Sequence, residues 1–263
     1  MQNLNGKKIV IIGGTSGIGL SAAATFLAHG AKVVVVGRDD EHLLNAQETL
    51  GHDAIIFVAE ATDSTTAPRA IEIAQNRFHG FDGLYHVAGG SGRKFGDGPL
   101  HELTDEGLEA TTRLNYYALV YANRAAVRAF LAQRRGGSIL NVSSVLAFSP
   151  SPKHFATHAY TASKAAIIGF SQAIAAYYAP HDIRVNVLAP ALTQTPMAQR
   201  ATHDENILRY IKTKQPLDGG RVAIPEDLDA AAVFFMSEGS RFITGQVLAV
   251  DGGWSVSEGQ HHN

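Results

Sequence analysis

The 263-residue chain contains no cysteine. That absence excludes disulfides, thiolate catalysis and Cys-ligated metal sites together. Net charge is also scarce: 22 Lys and Arg stand against 24 Asp and Glu, a formal −2 at pH 7. Nothing electrostatic invites nucleic acid or an anionic membrane as a partner. No apolar run reaches the ~18 residues of a membrane span, and Met1–Lys8 lacks the apolar core of a secretory signal. The 12 histidines are scattered, without HExxH or similar ligand spacing, so no metal is expected. No repeat, low-complexity tract or Pro/Ser-rich linker divides the chain. The expectation is one cytoplasmic domain over residues 1–263, with 254–263 as a mobile polar tail.

What is present is alternation. Apolar, β-branched runs at Lys7–Ile12, Lys32–Val36, Ala54–Val58, Gly83–Ala88, Ser138–Ser143, Arg184–Leu188 and Gln246–Val250 read as strands. Helical patterns separate them: Gly17–His29, Asp40–Leu50, Thr65–Phe78, a long one over Asp105–Gln133, and one carrying Tyr160. A helical region to about Lys214 and the helix Glu226–Met236 follow. Continuous apolar strands alternating with helices predict an α/β fold, a doubly wound Rossmann-type parallel sheet of about seven strands. Ligands would then bind at the carboxyl ends of the strands.

The first strand runs into Gly13-Gly14-Thr15-Ser16-Gly17-Ile18-Gly19, and a helix begins there. Glycines let the backbone approach a pyrophosphate, and the helix N-terminus supplies oriented N–H groups. The spacing is G-x-x-x-G-x-G rather than the commoner G-x-G-x-x-G. The second strand ends Gly37-Arg38, with no carboxylate for a ribose 2′-OH and a planar cation suited to a 2′-phosphate. NADP is therefore expected ahead of NAD. Asp39 and Asp40 read as cap and first-turn residues of the next helix.

Tyr160 and Lys164 are four apart on a helix and so share a face. A free phenol titrates near pH ~10, too high for efficient proton transfer at neutral pH. A cation ~4 Å away contributes ~1 kcal/mol in bulk water but ~4 kcal/mol at an effective dielectric near 20. The pair predicts chemistry only inside a sheltered cleft.

With the glycine loop first and Tyr160-x-x-x-Lys164 far downstream, the chain resembles the short-chain dehydrogenase/reductase family over essentially its full length. Asn115 on the long helix, the strand end Ile139-Leu140-Asn141-Val142-Ser143-Ser144, Pro190-Ala191 before Thr195, and the ending Ile243-Thr244-Gly245-Gln246…Asp251-Gly252-Gly253 add to the likeness. The resemblance implies that Tyr160 gives or takes the proton of the carbonyl oxygen. Lys164 would lower the Tyr160 pKa and bind the nicotinamide ribose. Ser144 would hold the substrate oxygen, with Ser143 as fallback, and Asn115 would hold a water linking Lys164 to solvent. By the same likeness Gly13, Thr15, Ser16, Gly17, Ile18, Gly19 and Arg38 line the pyrophosphate and adenosine ribose. Glu60 and Ala61 would lie at the adenine, Ala88 and Gly89 along the nicotinamide half, and Pro190, Thr193 and Thr195 at the carboxamide. The family is often tetrameric, which implies a homo-oligomer.

Three departures stand out. His86-Val87-Ala88-Gly89 replaces the family's common Asn-Asn-Ala-Gly, so His86 needs partners other than those of an asparagine. Ile12 and Ala191 replace a frequent threonine and glycine. Ser144 and Tyr160 are 160 − 144 = 16 residues apart, more than is usual in the family, and the extra length falls within Leu146–His158 at the rim of the substrate site. Met197–Leu217 reads as a mobile lid. The expected function is NADP(H)-dependent interconversion of a small-molecule carbonyl and its alcohol. The alternative is a non-catalytic NADP-binding sensor or interaction protein on the same fold. An acyl hydrolase is rejected because no G-x-S-x-G elbow is present.

Overall fold

The computed structural model describes residues 3–38 and 40–260, leaving out the side chains of Asp40 and Glu41. The capping roles read for Asp39 and Asp40 therefore lie outside the described residues. Seven strands form one sheet: β1 (Lys8–Ile12), β2 (Lys32–Gly37), β3 (Ala54–Val58), β4 (Gly83–His86), β5 (Gly137–Val142), β6 (Ile183–Pro190) and β7 (Val247–Val250). Their spatial order is β3-β2-β1-β4-β5-β6-β7, and every neighbouring pair is parallel. This is the expected doubly wound sheet. The order reverses between β1 and β4, which opens a crevice at their carboxyl ends.

Side-chain alternation explains why both faces are covered. Ile9, Ile11, Val33 and Val35 pack into one apolar cluster, with Val10, Ile12, Val34 and Val36 in another on the opposite face. The first face is covered by α1 (Gly17–Ala28), with Phe26 fully buried, and by the end of α2 (Asp40–Leu50). The second is covered by α3 (Thr66–Phe78). The long helix expected over Asp105–Gln133 is instead α4 (Asp105–Thr112), a π-helical turn Arg113–Tyr117, and α5 (Ala118–Gln133). A π turn inserts one extra residue per turn and re-aims the side chains within it.

The helix α6 (His158–Tyr178) carries Tyr160 and Lys164. Beyond β6 the segment read as a lid holds α7 (Gln199–Thr202) and α8 (Glu205–Lys214). The last helix starts later than its pattern suggests: a 3-10 turn Pro225–Leu228 precedes α9 (Asp229–Met236). Up to Gln260, the segment after Trp254 that was expected to be mobile makes contacts with α8. Gln260 N–H donates to Thr213 Oγ1 at 2.7 Å, and Lys214 Nζ donates to Ser257 O. Among the described residues no helix is long and apolar enough to cross a membrane.

Candidate active site

The glycine loop follows β1, and its fit to a dinucleotide can be tested on space. Gly13 has φ +84°, and a Cβ there would meet Ala88 N at 2.7 Å. The loop backbone and the end of β4 are thus in contact, which only glycine permits. Gly17 lies against Thr195, whose Cγ2 would stand 3.0 Å from a Cβ at Gly17. Thr195 therefore closes over the start of α1. Ser16 is the extended N-cap of α1 and makes no side-chain capping bond, so the first-turn N–H groups are not screened by it. Ile18 and Gly19 continue into the helix. Thr15 is buried with its hydroxyl over Gly37: a Cβ on Gly37 would lie 1.9 Å from Thr15 Oγ1. Its side chain is turned under the loop, leaving only its backbone to face a phosphate.

Arg38, beyond the end of β2, and Glu60, beyond β3, form an ion pair at 3.6 Å with both side chains about half exposed. Glu60 O accepts from the Thr66 hydroxyl at 2.6 Å, which holds the turn through Ala61 against the start of α3. On the other side Pro190 ends β6, and buried Thr193 pairs with Ala223 in an isolated bridge.

The catalytic end is assembled by β4, β5, the π turn and α6. Ser143 and Ser144 follow β5 and diverge. The Ser143 hydroxyl donates to Lys164 O at 2.7 Å and so anchors α6 to the sheet. The Ser144 hydroxyl accepts from Leu146 N–H at 3.2 Å and lies near enough to the Tyr160 phenol to draw its pKa down. Lys164 Nζ donates to Val142 O at 3.0 Å and sits 5.5 Å from the centroid of the Tyr160 ring. Asn115 is fully buried in the π turn: its amide donates to Gly90 O and Thr111 O, both at 2.9 Å, and its Oδ1 accepts from Gly90 N–H at 3.1 Å. Gly89 lies between the two: a Cβ there would meet Asn115 Oδ1 at 2.7 Å and Lys164 Nζ at 3.1 Å. Ser144, Tyr160, Lys164 and Asn115 are thus brought into one cleft.

The electrostatics differ from expectation. Lys164 was expected to lower the Tyr160 pKa, but burial pushes the phenol up to about 12, with only the Ser144 hydrogen bond pulling it down. The ammonium faces the ring instead, and burial draws Lys164 itself down to about 8. His86 is buried at the end of β4. Burial first, and then the nearby Lys164 charge, draw its imidazole down to about 3, while backbone bonds at His86 and Ala118 oppose this. Its Nε2 has no partner.

Sequence reasoning missed Asp97. This buried carboxylate accepts from Ala159 N–H and Tyr160 N–H, both at 3.0 Å, and pins the first turn of α6 at the residue that carries the phenol. Gly96-Asp97-Gly98 reads as an ordinary turn, and its partner lies 62 residues downstream, so no local signal marks it. Asn123, Asn141 and Ser171 form a second buried network joining α5, β5 and α6, with distances of 2.9–3.0 Å.

A doubly wound sheet with this loop and cleft at its carboxyl edge defines a Rossmann-type oxidoreductase that uses a nicotinamide dinucleotide. A family model described as "Enoyl-(Acyl carrier protein) reductase" matches residues 13–255. The chain is 36% identical over 258 residues to momilactone A synthase of Oryza sativa subsp. japonica, covering 97% of this chain and 92% of that protein. It is 34% identical over 257 residues to the A-factor type gamma-butyrolactone 1'-reductase (1S-forming) of Streptomyces virginiae, covering 94% and 95%. Among solved structures, a short-chain type dehydrogenase/reductase from Mycobacterium ulcerans superposes with TM-score 0.88 at 29% identity, covering 98% of this chain and 92% of that one. The 3-ketoacyl-(acyl-carrier-protein) reductase of Brucella melitensis, solved with NADH, gives 0.84 at 29% identity, covering 97% and 100%. The chain belongs to the short-chain dehydrogenase/reductase family and is an oxidoreductase acting on CH–OH or C=O groups.

Proposed function

We propose that this chain is an NADP(H)-dependent oxidoreductase that interconverts a small-molecule ketone or aldehyde and its alcohol. Tyr160 gives the proton to the carbonyl oxygen in reduction and takes it back in oxidation. The observation that carries the reading is geometric: Lys164 lies 5.5 Å from the centroid of the Tyr160 ring and meets Asn115 at Gly89. The nicotinamide supplies or accepts the hydride when bound, and the chain's own residues position the substrate and move the proton. Ser144 orients the substrate oxygen toward the phenol. Lys164 returns the proton that Tyr160 spends, and Asn115 Oδ1, facing Lys164 across Gly89, holds the water through which it is replenished. A phenol raised to about 12 keeps its proton at neutral pH, the form that donates in reduction.

Preference for NADP is supported at the end of β2. Any side chain on Gly37 collides with Thr15, so no carboxylate can take the ribose 2′-OH there, and Arg38 is the neighbouring cation. The working form in this reading is a cytoplasmic homotetramer, supported by the exposed apolar side chains Phe148, Tyr177 and Leu248.

Cofactor consumption measured across a ketone and aldehyde panel tests the reaction. Tyr160→Phe is expected to lower kcat by at least about 100-fold, the usual scale of a lost general acid. Turnover insensitive to that change would sink the mechanism, and a protein that binds NADPH but turns over nothing would be a sensor.

A further inference from the structure

Two arginines far apart in sequence converge at the mouth of the cleft. Arg93 lies in the 3-10 turn Arg93–Phe95 after β4, and Arg200 lies in the lid helix α7. Both point a guanidinium at one backbone oxygen of the long Ser144–Tyr160 segment: Arg200 Nη2 is 3.2 Å and Arg93 Nη2 is 3.5 Å from His154 O. Among the described residues this is the only hydrogen bond either guanidinium makes, and neither forms an ion pair. Both residues are exposed. Burial and the charge of Arg200 draw Arg93 down, and only Asp97 opposes them.

That arrangement is unfavourable on its own. A carbonyl is a neutral acceptor, and two like charges crowd around it while most of their N–H donors are unused. The nearest carboxylate cannot serve both, because the two oxygens of Asp97 are taken by Ala159 and Tyr160 N–H. Asp97 also fixes where the pair lies, at the end of α6 that carries the Tyr160 phenol. The lid already reaches the β4 loop, since a Cβ on Gly90 would stand 3.9 Å from Met197 Sδ.

Resting on the oxidoreductase reading above, we propose that Arg93 and Arg200 bind an anionic oxygen group of the substrate, carboxylate or phosphate, at the end remote from the reacting carbonyl. Planar guanidiniums from a fixed loop and from the lid match the two oxygens of such a group. The anion relieves their repulsion and draws α7 onto the β4 loop, so binding energy distant from the carbonyl closes the lid.

Steady-state kinetics with matched substrates test this. One arm pairs keto acids with their methyl esters, and the other pairs ketose phosphates with the free ketoses, which separates carboxylate from phosphate. The wild type is expected to favour the anion in one arm by at least about ten-fold in kcat/KM, expressed chiefly in KM. Arg93→Gln and Arg200→Gln each bring that ratio toward one, and the corresponding lysine variants restore part of it. Thermal melting of each variant, expected to match the wild type, separates lost recognition from lost folding. A ratio near one in both arms, with neutral carbonyls turned over, overturns the arginine site and leaves the oxidoreductase reading standing. A ratio that survives both glutamine variants does the same. No turnover of any substrate overturns both.

Discussion

Gly37 bears on the proposed preference for NADP through one missing side chain. Thr15 fills the space a Cβ would need, at 1.9 Å, so the site is closed to a carboxylate by packing as well as by identity. Gly37→Asp alone is therefore expected to destabilise the protein by about 1–3 kcal/mol, the cost of overpacking, without creating NAD preference. Arg38→Asp is expected to lower the NADPH-to-NADH ratio of kcat/KM by about ten-fold or more, since it removes charge-assisted bonds to the 2′-phosphate. Titrations with both cofactors and a melting curve for each variant decide the matter. An unchanged ratio in Arg38→Asp would acquit Arg38. His86 carries a second prediction. The folded protein keeps this imidazole neutral down to about pH 3, whereas an unfolded histidine takes a proton near its ordinary 6.5. Below pH 6.5 the unfolded state thus binds the extra proton, and stability falls as pH falls, by about 1.4 kcal/mol per unit. His86→Asn lacks this term. Denaturant melts at pH 6.5 and 5 should show the wild type losing about 2 kcal/mol more than the variant. Equal losses would place the missing pH dependence elsewhere.

At the scale of elements, the strands were readable because each is a short apolar, β-branched run, and their observed limits differ from the expected ones by at most a few residues. Helices were readable by period but not by irregularity. Arg113-Leu114-Asn115-Tyr116-Tyr117 contains no Gly or Pro, so nothing local announces a π turn. Within that turn, Asn115 bonds Gly90 and Thr111. Ser144, Tyr160, Lys164 and Asn115 were found through order and spacing, and the choice between the adjacent serines rested on family likeness. The two serines differ in their partners: Ser143 bonds the α6 backbone, and Ser144 accepts from Leu146 N–H. Two things escaped the sequence entirely. The direction of the Tyr160 shift depends on how deeply the ring is buried and on which part of it the lysine faces, and Asp97 works only through a contact with a distant helix.

At the scale of the whole molecule, β7 is an edge strand beside α6, and an apolar groove of Ala147, Phe148, Ala165, Ile168, Val247 and Ala249 runs there. Leu248 and Tyr177 are 40% and 73% exposed. A monomer would leave that edge open to further pairing. Analytical ultracentrifugation is expected to give a four-chain species, and Leu248→Glu is expected to shift it to smaller ones. A wild type that sediments as a monomer at micromolar concentration would refute the assembly.

The same molecule carries a single tryptophan. Trp254 is buried where the lid, the long rim segment and the tail meet: its ring lies 6.0 Å from Tyr210 and 5.7 Å from Phe155, and its indole N–H donates to Ser149 O at 3.0 Å. Its intrinsic fluorescence therefore comes from one joint of the protein and not from an average over many. Opening of α8 would wet the indole and move its emission to longer wavelength, so such a motion would have an optical signal without any attached dye.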